Sequence, residues 1–236
     1  MVEAILITIG VTDQHKVVQV WEDILGHNRL QKLYHDIQHV DSYLEMIRYF
    51  GKLINREEKL SIIKDGFPAI IKKPRVYYAM GKPLFPLEKE RMENQLIKAA
   101  GGISVNQEIN CVGRPGRRIC AEDLNALNPE VIFISAFLSS SVEDFYEACC
   151  QAGITADAVK HRQIYTPPAP GWDFGSPRWI LGLQYIANML HPEIYHFDVF
   201  TEAQRFYAQF YGTEFSLTDV NRSFCKPSSK WTWKEN

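Results

Sequence analysis

The sequence predicts an α/β chain built on a doubly wound parallel sheet and preceded by a long helix. Three observations predict it. Short runs of strand composition recur at Arg75-Val76-Tyr77-Tyr78-Ala79, Val131-Ile132-Phe133-Ile134-Ser135 and Gln163-Ile164-Tyr165, with helical segments between them; such alternation builds parallel sheets. The run at 131–135 is continuously apolar rather than alternating, as a strand covered on both faces must be. Glycine or proline closes each helical segment, at Gly66 with Pro68, at Gly101 with Gly102 and at Gly153.

The elements follow in order. Residues 3–9 form an Ile-rich apolar run, a strand or a helix end leading into one. Residues 15–25 carry Val17, Val18, Val20, Trp21, Ile24 and Leu25 and fit a helix ending at Gly26. Asp41-Ser42 read as an N-cap. Tyr43, Leu44, Ile47, Phe50 and Ile54 follow at three- and four-residue spacing, so 41–65 is one long helix or two abutting ones. After the strand at 75–79, helices are expected over 87–100, 121–127 and 142–152, with 103–118 irregular and a turn at 113–116. The segment 167–175 is a Gly/Pro-rich loop carrying Trp172, Asp173 and Phe174. Ser176 is expected to cap the next helix, with Pro177 at its first position. A last helix is expected over 201–211, and a mobile tail from Asn221.

Bulk composition bounds the function. The 236 residues suffice for one or two domains with a core, and 46% hydrophobic with 23% charged residues is ordinary for a folded chain. A formal net charge of −2 and the lack of a basic run argue against a nucleic-acid partner. No stretch approaches the ~18 apolar residues of a membrane span. The N-terminus lacks the basic region of a secretory signal, and its Met argues against trimming, so the chain as written is expected in the cytoplasm. The cysteine count is 5, with Cys149 and Cys150 adjacent and no CxxC or CxxH spacing; buried, reduced thiols are expected.

Four segments carry a family resemblance: RVYYAMG at 75–81, NQLIKAAGG at 94–102, EDLNALNPEVIFIS at 122–135 and SPRWILGLQYIANMLHPE at 176–193, followed by FYAQFYG at 206–212. Together, in this order, they resemble the C-terminal lobe of the class III substrate-binding proteins of ABC importers, which take iron–siderophore, haem, cobalamin and related ligands. The third resembles the pattern E-x-L-x-x-x-x-P-[DE]-V-I. The resemblance implies an N-terminal lobe remnant at 1–40, a connecting helix at 41–66, a ligand-binding-like lobe at 67–220 and a tail at 221–236. It also implies an extracytoplasmic family whose ligands bind between two lobes, whereas most of the first lobe is not seen in this chain.

Candidate binding residues come from sheet geometry, since ligands of open parallel sheets lie beyond the carboxyl ends of the strands. Three loops meet that condition: one with Tyr78 and Met80, one with Ser135, Phe137 and Ser139, one with Trp172 and Asp173; Arg178 begins the following helix. Tyrosinate can ligate ferric iron, aromatics can stack on a macrocycle, and arginine can pair with an oxyanion. Each has a plainer reading. Tyr78 and Met80 can be packing residues, Phe137 can cover the sheet, Asp173 can cap local amides, and Arg178 can pair with a surface carboxylate. Trp172 is the first choice for ligand contact, because a tryptophan flanked by Gly and Pro has few helix neighbours to bury it. His35 and His39 have i, i+4 spacing, but residue 36 is Asp, so HExxH is absent and no third metal ligand is evident. His161 and His196 are isolated, and His191-Pro192 reads as a helix end.

Three classes of function stand side by side. The first is a non-enzymatic small-molecule binding module for a metal chelate, haem or corrinoid, or an oxyanion, with a homodimer mate or partner chain engaged through Trp21, Leu25, Leu30, Leu33 and Tyr34 in 1–40. The second is a truncated interaction subunit or scaffold that binds no ligand. The third is an enzyme on the same fold, for which the sequence offers no GxxxxGK[ST], no GxGxxG after a strand and no GxSxG.

Overall fold

Among the described residues four short strands form one sheet in the order β2-β1-β3-β4: β1 (Arg75–Ala79), β2 (Ile103–Ser104), β3 (Val131–Ile134) and β4 (Ile164–Tyr165). Every pairing between them is parallel. A computed structural model of the chain describes residues 23, 35–36, 38–53, 72–109, 118–136, 141–174, 176–208 and 212–215. The sequence expectations at 3–9, 54–65 and 113–116, the tail, and nearly all of 15–25 lie outside these residues.

Alternation of side chains along each strand divides the core in two. Val76 and Tyr78 of β1 lie beside Val131 and Phe133 of β3 and face one side. Tyr77 and Ala79 lie beside Ile132 and Ile134 and face the other. On the first face pack α1 (Val40–Leu53), α2 (Met92–Ala99), α6 (Trp179–Leu190) and α7 (Val199–Phe206), through Tyr43, Met92, Leu96, Tyr185, Ile186 and Ala203. On the second pack α3 (Ala121–Leu127), α4 (Val142–Gln151) and α5 (Asp157–Lys160), through Leu124, Phe145, Cys149 and Val159. Burial on both faces is why β3 reads as an unbroken apolar run. An aromatic row crosses the first face, with Phe133 ring to ring with Tyr78 at 5.7 Å and with Tyr165 at 5.8 Å.

Local chemistry sets the helix ends. Ser141 Oγ accepts from the Asp144 amide at 3.0 Å and starts α4, which stops before Gly153 at φ +72°. At α3, Cys120 Sγ accepts from the Asp123 amide while the Asp123 carboxylate accepts from the Cys120 amide, a reciprocal cap. Asp198 Oδ1 accepts from the Thr201 amide, so α7 starts at Val199 rather than at 201.

Other boundaries also differ from expectation. The helix expected from 87 begins at Met92, because 87–91 are tied into turns: the Leu87 amide donates to Tyr78 O, and Asn94 Nδ2 donates to Glu88 O. The segment expected to be irregular from 103 holds β2 and a 3₁₀ turn, Val105–Glu108. A strand of two residues has no periodicity to read. Beyond it the Asn106 side chain takes over as strand partner, accepting from the Tyr78 amide at 2.8 Å and donating to Tyr78 O at 2.9 Å. No helix among the described residues is long and apolar enough to cross a membrane.

Candidate functional site

The carboxyl ends of β1, β3 and β4 open onto one rim, and Asp173 ties that rim together. Its Oδ2 accepts from the Ala136 amide at 2.9 Å, from Tyr78 Oη at 3.2 Å and from Ser135 Oγ at 3.3 Å. One carboxylate from the loop after β4 thereby holds the ends of β1 and β3. Asp173 is fully buried, and burial pushes its carboxyl above the usual range against the pull of its hydrogen bonds. Burial, then the charge of Asp173, pushes the Tyr78 phenol well up.

A second buried carboxyl adjoins it. Glu93, in the first turn of α2, has no exposed side-chain area, and its Oε1 accepts from Arg91 Nη2 at 3.0 Å. Burial raises its carboxyl to about 7, opposed by Arg91 and reinforced by the charge on Asp173. The Arg91 guanidinium lies 4.0 Å from the centroid of Phe174, the residue after Asp173. Arg91 and Phe174 remain partly exposed, while Arg91 Nε is buried.

Solved structures share this arrangement of strands and helices. A periplasmic solute-binding protein of Veillonella parvula superposes with a TM-score of 0.63 at 20% identity, over 79% of this chain and 62% of that one. Helicobacter pylori CeuE with Ni(II) bound gives 0.58 at 22% identity, over 77% and 62%. MolA of Haemophilus influenzae bound to molybdate gives 0.56 at 17% identity, over 75% and 57%. The fold is that of ABC-transporter solute-binding proteins. This chain thus spans about three-fifths of the length of those structures. No protein-family model and no curated protein matches the sequence.

On the solute-binding fold, the residues singled out from sequence fall into two layers. Met80 stands out on the rim at 37% exposure. Tyr78, Ser135, Asp173 and Trp172 are buried beneath it. Phe137 and Ser139 lie outside the described residues. The expectation that few neighbours would bury Trp172 is corrected. Its ring packs in the first-face core, 5.8 Å from Phe215. The reason is Gly182 of α6: a Cβ there would overlap the Trp172 carbonyl, so glycine lets the loop backbone settle onto the helix and carries the indole inward. Asp173 accepts from a backbone amide, but from Ala136 just past β3 rather than from the local amides that one reading expected. Arg178 donates from Nε to Ser176 Oγ at 2.8 Å and from Nη1 to Tyr207 Oη at 3.2 Å, so hydroxyls rather than a surface carboxylate hold it. Ser176 does not cap α6, which begins at Trp179; its hydroxyl donates to Gly171 O and accepts from Arg178, bracing the turn before the helix.

Sequence reading missed Arg91, Glu93 and Asn106. Acidic residues at a helix start are normal on a solvated face, so nothing local marks Glu93 as buried. Among the described residues no group of three His, Cys, Asp or Glu side chains gathers to hold a metal. His35 and His39 instead sit ring to ring at 4.7 Å. A shallow recess beside α3, lined in part by Leu84, Ile119 and Glu122, shares no residue with the Asp173 cluster.

Proposed function

We propose that this chain is a non-enzymatic small-molecule binding module, and that its ligand rests on the rim formed by Met80, Phe174 and Arg91. The supporting observation is the Asp173 clasp. It ties the loop after β4 to the end of β3 and to Tyr78 of β1, at the place where parallel sheets bind ligands, where Met80 is exposed and Arg91, stacked on Phe174, is partly exposed. A thioether, a phenyl ring and a guanidinium together suit an apolar body bearing negative charge. That chemistry fits an anionic metal chelate, haem or a corrinoid, and in smaller form an oxyanion. Tyr78, Ser135 and Asp173 support the surface from below, and Arg178 braces the loop.

Titration with haem, cobalamin, a ferric catecholate and molybdate tests the reading, by absorbance for the coloured ligands and by thermal shift for all. A saturable response that weakens in Arg91→Ala supports it, since bound ligand raises stability as RT ln(1 + [L]/Kd). No saturable response to any of them would overturn it in favour of an interaction subunit that binds no ligand. Self-association through residues 1–40 belongs to the same proposal, and gel filtration at two concentrations tests it.

A further inference from the structure

Glu93 and Asp173 form an unbalanced buried pair. Each has one bonded oxygen, while Glu93 Oε2 and Asp173 Oδ1 are buried with no hydrogen-bond partner. A single guanidinium, Arg91, answers Glu93, and its own side chain is 31% exposed. With both carboxyls ionised, the cluster would hold net negative charge away from water, which is strongly unfavourable. One retained proton removes that charge.

The cluster also spans separate elements. Glu93 belongs to α2 and Asp173 to the rim loop. Arg91 bonds the first and stacks on Phe174, the neighbour of the second. Tyr78 of β1 faces both carboxyls, and Tyr185 of α6 lies beside Tyr78. The residue after β3 is the uncharged Ser135. The segment before α1 contributes Gln38, which accepts from the Met92 amide at 3.2 Å, with Asp36 and His39 its ionisable neighbours. Burial of Glu93 places its proton loss near neutrality, at about 7.

We propose that Arg91, Glu93, Asp173 and Tyr78 form a proton-controlled clasp. While the carboxyl pair holds one proton, residues 173–174 stay docked on β1, the end of β3 and α2; when that proton passes to water, the two carboxylates repel and residues 173–174 lift, with Trp172 held against α6 as the fixed end. Asp173 leaves with the loop and reaches solvent, and the Ala136 amide and the Ser135 and Tyr78 hydroxyls become open to water. The clasp concerns the loop alone and does not depend on what the rim binds.

Amide hydrogen exchange of the full chain, corrected for intrinsic exchange rates, tests the clasp. Protection of the Ala136 amide and of residues 173–174 is expected to fall as pH rises from about 6 to about 8.5, by up to about tenfold per pH unit above the midpoint. In Glu93→Gln, which mimics the protonated carboxyl, protection is expected to match the low-pH wild type at every pH. Equal protection of the wild type at both pH values, or an unchanged pH dependence in Glu93→Gln, would overturn the proposal. Infrared difference spectra of the wild type over the same range give a second readout that needs no variant. Loss of a protonated-carboxyl band supports the clasp, and a flat spectrum in that region refutes it.

Discussion

At the scale of single residues, Asp173 concentrates the most structure in one side chain. Asp173→Ala strips the acceptor from the Ala136 amide, Ser135 Oγ and Tyr78 Oη, all buried. A loss of about 2–4 kcal/mol is expected, seen as a lower urea midpoint with an unchanged slope. Asp173→Asn keeps the shape and an acceptor oxygen, so it should lose less. The adjacent cysteines separate in reactivity. Cys149 is buried against the sheet, and burial pushes its thiol to about 12, ahead of any influence from Cys150. Cys150 is exposed. Alkylation of the native chain followed by peptide mass mapping should label Cys150 and spare Cys149. The position of Asp173 was legible from strand-end logic, but its partnership with Tyr78 was not, because 95 residues separate them. Glu93 left no trace in the sequence, since the burial of a helix-start acid depends on what packs over it.

At the scale of elements, segments with apolar composition were readable, down to the 2-residue β4, and devices without one were not. β1, α3 and β3 announced themselves by composition and by glycine and proline punctuation. β2 and α5 span 2 and 4 residues and have no period. Asn106 completes the β1 ladder with a side-chain amide, a substitution that no strand propensity records. The α6–loop contact was equally hidden. Gly182 lies within a helix, and the Trp172 carbonyl occupies the space of its missing Cβ. Gly182→Ala tests that contact. Alanine gains about 1 kcal/mol of helix propensity, but the obstacle is backbone and cannot swing aside. A net loss of stability is expected, with a red-shifted tryptophan emission as Trp172 is pushed towards water. A stabilised variant with unchanged emission would show that the loop does not rest on α6.

At the scale of the whole molecule, the buried carboxyls give stability an unusual slope with pH. The folded-state pKa of Glu93 lies above its ordinary value, so its contribution is complete below about 4.5 and is lost as pH rises through about 7. The raised Asp173 carboxyl acts in the same direction. The exposed Glu122, Asp123 and Asp157 carboxyls are held low and pull the other way only under acid conditions, below about pH 4. Unfolding free energy should therefore fall by about 3 kcal/mol between pH 5 and pH 8, and Glu93→Gln should flatten most of that fall in urea titrations. The sheet also has a bearing on how copies of the chain meet. Among the described residues both of its outermost strands, Ile103–Ser104 and Ile164–Tyr165, stop after 2 residues. A passing molecule finds few open amides and carbonyls along either of these short strands, so each is a poor template for adding a strand of its own.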